Sequence, residues 1–351
     1  MRLTRRRVLK GSAALALSAA GAVRVAAAPP AEAVTPALIE AARREGNVVW
    51  HTAMDVPLAE RMARTFEAKY PGVALRVERT GSERIFQRLA QEYESRVYAA
   101  DVVNSADAAH YIVWKRNDWL APYVPAEVAQ HYPAEHRDAD GLFVTARVWL
   151  SSLGYNTSLV KPEDAPKSFS DLLDPKWSGK IVKGHPGYSG TILTATFQIA
   201  RDIGWSYFEK LATQKVMQVQ SSTDPPKKLN LGERALMADG NDYNLIQLKE
   251  AGRPVEPIYP AEGTPVVVGP NAILKAAPNP NAARLFHSWL LSGEAQQLLI
   301  DISGQHSVHA RVTEKPGRKR LAEIKLMRDD PAAVAEQSDE IKARYARIFR
   351  I

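Results

Sequence analysis

Asn47-Val-Val-Trp-His-Thr-Ala-Met-Asp55 decides how this chain is read. Its first five residues, Asn47 to His51, read as a short buried strand, and Thr52 to Asp55 leave it as a loop. Upstream, Pro36 to Glu45 is a helix ended by Gly46. Downstream, Val56 to Lys69 has helical spacing, with Leu58, Met62, Phe66 and Tyr70 on one side, and Pro71-Gly72 stops it. Val73 to Thr80 alternates apolar and charged residues, as a strand with one exposed face does. Ser82 to Tyr98 is helical, with Ser82 as its N-cap, and Asp101-Val-Val103 is a third strand. Asn104 to Asp107 leaves that strand, and a helix follows to Trp119. Strand, helix, strand, helix, strand is a doubly wound α/β unit. Ligands of such sheets sit beyond the carboxyl ends of the strands. That rule singles out the loops Thr52–Asp55 and Asn104–Asp107, and with them Thr52 and Ser105.

The remainder repeats the α/β character. Leu142 to Leu153 is extended, and strand alternation puts Arg147, Trp149 and Ser151 on one face. Gly179 to Val182 starts a second sheet, and Gly187 to Thr191 opens a helix running to about Ile203. A strand over Val216–Val219, a helix over Pro226–Met237 and a loop over Gly240–Asn244 are expected next. Val255 to Pro260 is strand-like, and Glu262 to Val268 is a return crossing. Asn281–Leu291 and Glu294–Ile300 are helical, and amphipathic helices follow from about Leu321.

The N-terminus adds an address. Thr4-Arg-Arg-Arg-Val-Leu-Lys10 has the form of a twin-arginine export signal, and an alanine-rich apolar stretch follows from Gly11 to Val23. Ala26-Ala-Ala28 and Ala31-Glu-Ala33 are candidate cleavage sites, so residues 1–33 are expected to be removed by the time the protein reaches the periplasm through the twin-arginine translocase. The apolar stretch is too short for a good membrane anchor. The whole chain holds 46 Lys and Arg against 39 Asp and Glu, but six of those basic residues and one acid fall within 1–33. The remainder is balanced to within about two charges, which gives no reason to expect nucleic-acid or bulk membrane binding. Cysteine is absent, which excludes thiolate chemistry, cysteine-ligated metals and a lipidated N-terminal cysteine. More than 300 residues remain, more than one core usually carries, so two lobes are expected.

Asp171-Leu-Leu-Asp-Pro-Lys-Trp-Ser-Gly-Lys180, Ser189-Gly-Thr191, Glu262-Gly-Thr-Pro265 and Ala276-Ala-Pro-Asn-Pro280-Asn-Ala-Ala-Arg-Leu-Phe286 together resemble the periplasmic solute-binding proteins of ABC importers. They are most similar to the ferric-iron-type branch, whose members also bind phosphorylated sugars, phosphonates and polyamine-like ligands. The resemblance implies two α/β lobes, each a doubly wound sheet with flanking helices, joined by two extended hinge strands. Lobe 1 would comprise 34–145 and 265–318, and lobe 2 146–264 and 319–351. It also implies an inner-membrane permease as partner and no catalysis; no cofactor is expected, and a monomer suits a freely diffusing shuttle.

Within that frame Ser189, Gly190 and Thr191 form an anion cradle: helix N-terminal amides, two hydroxyls, and a glycine that admits a ligand to the backbone. Arg147 can clamp a carboxylate or phosphate, or simply be a surface arginine of a hinge strand. Trp149 can stack on an organic ligand or fill the core, and Asp242 can bind an amine or merely make a turn. Tyr243 can donate from its hydroxyl. Relatives that bind ferric ion carry donors at positions matching Met54, Ala106, Asp242 and Tyr243; only Tyr243 is retained, so a small anionic solute is the first expectation. A ferric or ferric-chelate carrier using Tyr243 and Asp242, and a sensor docking on a membrane receptor, remain as alternatives. Gly187-Tyr-Ser189-Gly-Thr191 lacks the second glycine of a hydrolase elbow. His306 and His309 have no accompanying metal motif.

Overall fold

A computed structural model describes residues 28–351. The twin arginines and the apolar stretch of the expected export signal lie outside the described residues. The first lobe begins with α1 (Pro36–Glu45), capped by the Thr35 hydroxyl and closed by Gly46 in the left-handed region. β1 (Asn47–Thr52), α2 (Val56–Lys69), β2 (Ala74–Arg79), α3 (Ser82–Ser95), β3 (Val102–Asn104) and α4 (Ala108–Arg116) follow. β1 lies between β2 and β3 and runs parallel to both, with Trp50 opposite Val77 on one side and Val102 on the other. The cap of α3 is Gly81, not Ser82. The Ser82 hydroxyl instead accepts from the Ala106 amide (3.2 Å), which ties the start of α3 to the loop after β3. α3 also ends at Ser95, three residues earlier than expected, where Arg96 turns left-handed. α5 (Ala126–His131) completes this half.

The long extended stretch divides at Ser151-Ser152 into β4 (Val144–Leu150) and β5 (Leu153–Asn156). It divides because the chain leaves one sheet for another: the Ser151 amide donates to Pro265 O and the Ser152 amide to Gly240 O. The second lobe holds β6 (Ile181–Gly184), α6 (Gly190–Asp202), α7 (Trp205–Ala212), β7 (Met217–Val219), α8 (Asp224–Asn230), β8 (Leu236–Met237), α9 (Asp242–Glu250) and β9 (Val255–Ile258). Two expectations fail here. The helix over Pro226–Met237 stops at Asn230, Gly232 turns left-handed, and Leu236-Met237 become a buried strand between β6 and β5. The loop at Gly240–Asn244 is instead the start of α9. In this sheet, ordered β7-β6-β8-β5-β9, β5 is antiparallel to both its neighbours.

The chain returns through β10 (Val266–Ile273), which enters the first sheet between β3 and β4 and is antiparallel to both. α10 (Pro280–Leu290) and α11 (Gly293–Ser303) pack on that lobe, while α12 (Pro331–Phe349) lies against α4 of the first lobe and α6 and α7 of the second. Each lobe has its own aromatic core. Trp50, Phe66, Phe286 and Trp289 meet edge to face or tilted in the first. Phe169, Tyr207, Phe208 and Tyr345 do so in the second. A buried Lys183–Asp239 ion pair lies under the Tyr345 ring and helps seat α12.

The register of β10 against β4 shifts between Gly269 and Pro270. Such a bulge frees a carbonyl, and Pro270 O is taken by the Tyr111 hydroxyl (2.6 Å) and Asn104 Nδ2 (2.7 Å). Gly269 stands opposite Arg147, where an added Cβ would meet the Trp149 ring at 2.8 Å and the Arg147 side chain at 3.0 Å. A Gly269→Ala variant is therefore expected to destabilise the protein by about 1–3 kcal/mol, the usual cost of overpacking. Urea unfolding of the purified variant measures it, and unchanged stability would show that both side chains have other room.

Candidate ligand-binding site

The two lobes enclose a cavity of about 400 Å³. Its floor is β4, whose alternation presents Arg147 and Trp149 to it, as the sequence pattern predicts. One wall is the loops after β1, β2 and β3, represented by Ala53, Gly81 and Ala106. The opposite wall is the start of α6, with Ser189 and Thr191, and the start of α9, with Tyr243.

Arg147 is 1 % exposed, and its Nε and Nη2 have no hydrogen-bond partner among the described residues. Its guanidinium carbon lies 4.6 Å from the centre of the Trp149 ring, close enough for a cation–π contact. Burial pulls the guanidinium below its ordinary pKa, with the Tyr243 and Asp55 sides opposing. Arginine nevertheless stays charged in proteins, so this is a buried cation without a carboxylate bonded to it. Four basic side chains line the cavity, Arg79, Arg84, Arg147 and Lys227, against the acids Glu83 and Asp224. Both acids are already engaged, Glu83 with Lys342 at 2.8 Å and Asp224 with Lys227 at 3.4 Å. The balance favours an anion.

The Ser189 hydroxyl caps α6 by accepting from the Ile192 amide. The Gly190 and Thr191 amides, as first-turn donors, have no acceptor inside the helix. Gly190 sits behind the wall: an added Cβ there would lie 2.5 Å from Asp107 Cβ of the other lobe, so the glycine lets the lobes meet. Tyr243 Oη accepts from Asn241 Nδ2 (3.0 Å). Burial, reinforced by the Asp55 charge, pushes the phenol well above its ordinary pKa, so it remains a neutral donor.

Besides Gly190, three residues singled out from the sequence do not line the cavity. The Thr52 hydroxyl donates to Asn104 Oδ1 and accepts from the Met54 amide, shaping the loop after β1. Ser105 Oγ accepts from the Asp107 amide and touches His110 Nδ1. Asp242 is wholly buried, and its Oδ1 accepts from the Leu150 and Tyr243 amides, pinning α9 to the end of β4. As cargo, a ferric ion would require several anionic oxygens. Of the four matching positions, only Tyr243 brings an oxygen to the cavity, and its phenol is neutral. Arg79, Tyr188, Asn241 and the Ser221–Thr223 turn also line the cavity. Arg79 was legible, since it ends β2 as Thr52 ends β1. The others carry no sequence signal beyond turn composition.

Burial raises Asp242 to about 6, against the opposing His306 charge and backbone donors. His306 Nδ1 is 2.6 Å from Glu314, and its Nε2 is 3.9 Å from Asp242 Oδ2. A folded carboxyl pKa above the unfolded value means that the fold binds the extra proton. Stability therefore falls as pH rises from about 4 through about 6. Asp242→Asn keeps the acceptor oxygen and loses the charge. Its unfolding free energy is expected to match the parent near pH 4 and to exceed it by on the order of 2 kcal/mol at pH 8. Chemical denaturation at both pH values measures this, and a variant less stable at pH 8 would contradict it.

Over residues 51–297 the chain matches the family described as bacterial extracellular solute-binding protein. A Salmonella typhimurium protein that carries the name of a 2-aminoethylphosphonate-binding periplasmic protein is 26 % identical over 271 residues, which cover 74 % of this chain and 76 % of that one. Among solved structures, the periplasmic binding protein AfuA from Actinobacillus pleuropneumoniae, with exogenous fructose-6-phosphate bound, superimposes with a TM-score of 0.80 at 24 % identity, covering 88 % of this chain and 99 % of that one. Iron-bound HitA from Pseudomonas aeruginosa superimposes with a TM-score of 0.74 at 22 % identity, covering 86 % and 99 %. Those two likenesses establish the two-lobed fold, and the family match spans well over half of the sequence. The chain belongs to the bacterial extracellular solute-binding protein family.

Proposed function

We propose that this protein is the periplasmic binding component of an ABC importer and that it closes on a small organic anion, one bearing a phosphate, phosphonate or carboxylate. The observation that carries the reading is the guanidinium of Arg147, buried in the cavity with two nitrogens unbonded. A buried charge without a partner costs several kcal/mol. An anion entering the cavity would remove that cost and gain a bidentate contact. The hydroxyls of Ser189 and Thr191 and the free amides of Gly190 and Thr191 would serve the same anionic group or the next one along. Trp149 offers a ring face and Tyr243 a neutral hydroxyl to the organic remainder. Thr52, Ser105 and Asp242 act behind the wall, by holding the loops and α9 in place. The two lobes would close about β4 and β10 as a monomer and present both faces to the permease.

Two relatives widen the choice of anion. A phosphonate appears in the name of the Salmonella protein and a sugar phosphate in the AfuA structure. A thermal-shift series with 2-aminoethylphosphonate, sugar phosphates, inorganic phosphate, dicarboxylates and ferric citrate with its iron-free control separates the classes. A ligand at about a hundred times its Kd adds roughly 2.7 kcal/mol of stability. An iron-free organic anion is expected to give the shift. A shift by ferric citrate alone would overturn the reading in favour of a ferric-chelate carrier. Arg147→Met is expected to abolish that shift, a loss of about 2–5 kcal/mol of binding. The same variant is expected to raise the Tm of the ligand-free protein, because an unbonded charge leaves the interior. A variant that lowers that Tm and still binds would show that Arg147 is only structural.

Export by the twin-arginine translocase, directed by the N-terminal segment, completes the proposal. Glu32 exchanges backbone hydrogen bonds with Val124 and Ala126 (2.8 Å each), an attachment that cleavage after Ala33 would discard. Cleavage after Ala28 keeps it. N-terminal sequencing of the exported protein is expected to begin at Pro29, and a start at Val34 would refute this.

A further inference from the structure

Beside the cleft, Glu83 of α3 and His110 of α4 converge with Asp107, the N-cap of α4. Among the described residues, these are the one trio of metal-ligating side chains whose donor atoms all lie within 4.8 Å of one another. We infer that this trio is a divalent-cation site, suited to Zn²⁺, in the wall of the cleft.

Three observations carry the inference. The first is spacing. His110 Nε2 lies 3.3 Å from Glu83 Oε1 and 3.6 Å from Asp107 Oδ2. Charge-assisted N–H···O bonds are normally about 2.7–2.9 Å long, so the imidazole sits too far from both acids for good hydrogen bonds. A tetrahedral ion with bonds of about 2.0–2.1 Å holds its ligand atoms about 3.3 Å apart, close to the 3.3 and 3.6 Å that separate the imidazole nitrogen from the two carboxylates. The second is orphaned acceptors. Glu83 Oε1 and Asp107 Oδ2 are buried and have no hydrogen-bond partner among the described residues, and Asp107 is only 1 % exposed. Two carboxylate oxygens left bare beside one imidazole edge call for a cation between them.

The third is the surroundings, which match those of ligating side chains. Ser105 Oγ lies 3.0 Å from His110 Nδ1, and as acceptor it leaves Nε2 free to bind metal. Lys342 of α12 holds the other Glu83 oxygen at 2.8 Å, and the Ala109 amide holds the other Asp107 oxygen at 2.9 Å. The Phe86 ring stacks on His110 with centroids 4.6 Å apart and fixes its plane. Three protein ligands leave the fourth position of the ion to water. Because Glu83 lines the cavity, the cleft is the route of entry. A bound ion would tie α3 to α4 and add positive charge to a wall that faces the solute. The inference does not depend on which solute binds.

The test is calorimetric titration of Zn²⁺ into chelator-treated mature protein, paired with the visible spectrum of added Co²⁺. One equivalent of Zn²⁺ and a tetrahedral Co²⁺ spectrum are expected. Asp107→Asn preserves the helix cap, because asparagine caps as well as aspartate. It should weaken Zn²⁺ at least about tenfold, the loss that even an outer partner of a metal can cause. His110→Ala should abolish the Co²⁺ spectrum. His309→Ala, in the separate pair of His309 with Glu127 (3.0 Å), should change neither. Failure to bind Zn²⁺, or binding that survives Asp107→Asn and His110→Ala but is lost in His309→Ala, would overturn the site.

Discussion

A buried guanidinium to which no carboxylate is bonded among the described residues is the constraint around which this molecule is arranged. Arg147 reaches that position only because β4 and β10 run antiparallel through the junction of the lobes, with Gly269 opposite it leaving room for both Arg147 and Trp149. The bulge at Gly269 and Pro270 would leave a carbonyl unbonded, and Tyr111 and Asn104 are spent on it. Asn104 in turn receives the Thr52 hydroxyl. The ends of β1 and β3 are therefore braced to the same strand that presents the cation. Natural folds tolerate such local cost where a ligand later relieves it.

The contacts between the lobes differ in kind from those inside them. Each lobe closes on its own aromatic core, which no ligand needs to complete. Across the cleft, close or polar contacts (Gly190 on Asp107, Asn244 Nδ2 on Asp55 at 3.1 Å, Lys342 on Glu83) accompany two small apolar clusters, one of Ala109, Leu193, Phe197, Val334 and Ile341 and one of Ala106, Trp149, Tyr243 and Val267. Partly exposed ion pairs and single hydrogen bonds are worth about 1 kcal/mol or less each. Both clusters are separate from the two aromatic cores, so contacts between the lobes can change without disturbing either core, while a ligand contributing several kcal/mol shifts the balance. α12 spans both lobes. Its firm seat is in the second lobe, where Tyr345 covers the Lys183–Asp239 pair and its hydroxyl donates to Gln218 Oε1. Its hold on the first lobe includes the Lys342–Glu83 pair, so closure would drag α12 across α4 rather than unfold it.

The succession of strands and helices over residues 36–107 was legible from periodicity and from stops such as Gly46 and Pro71-Gly72. α3 was not legible at its ends, since its cap is Gly81 and it closes at Arg96, which carries no turn signal. β8 was not legible either. Two residues carry no periodicity, and Leu236-Met237 become a strand only because β6 and β5 flank them. α9 was lost for a related reason: Asn241-Asp-Tyr-Asn244 has the composition of a turn, and the helix there is fixed by Asp242 accepting from the end of β4. Of the residues singled out by type and position, Arg147, Trp149, Ser189, Thr191 and Tyr243 line the cavity. Thr52, Ser105 and Asp242 had the same credentials. What separates the two groups is where each polar atom finds its partner, a property of the packed fold that spacing does not encode. The convergence of Glu83 with His110 is of the same sort, because it depends on how α3 packs on α4, where Phe86 stacks on His110.

The same distinction bears on the nature of the solute. A site for a bare trivalent ion must concentrate anionic oxygens, and their mutual repulsion lowers the cost of accepting the ion. This cavity has the opposite electrostatics. Its basic side chains outnumber its acids, both acids are tied to lysines, and burial holds the Tyr243 phenol neutral. A cation placed there would meet Arg147 with no anion between them. An anion placed there would meet a charge that the fold has already stripped of water, so it need only give up its own hydration. Preorganisation of that kind favours binding because the cost of desolvating Arg147 is borne in folding, before the solute arrives.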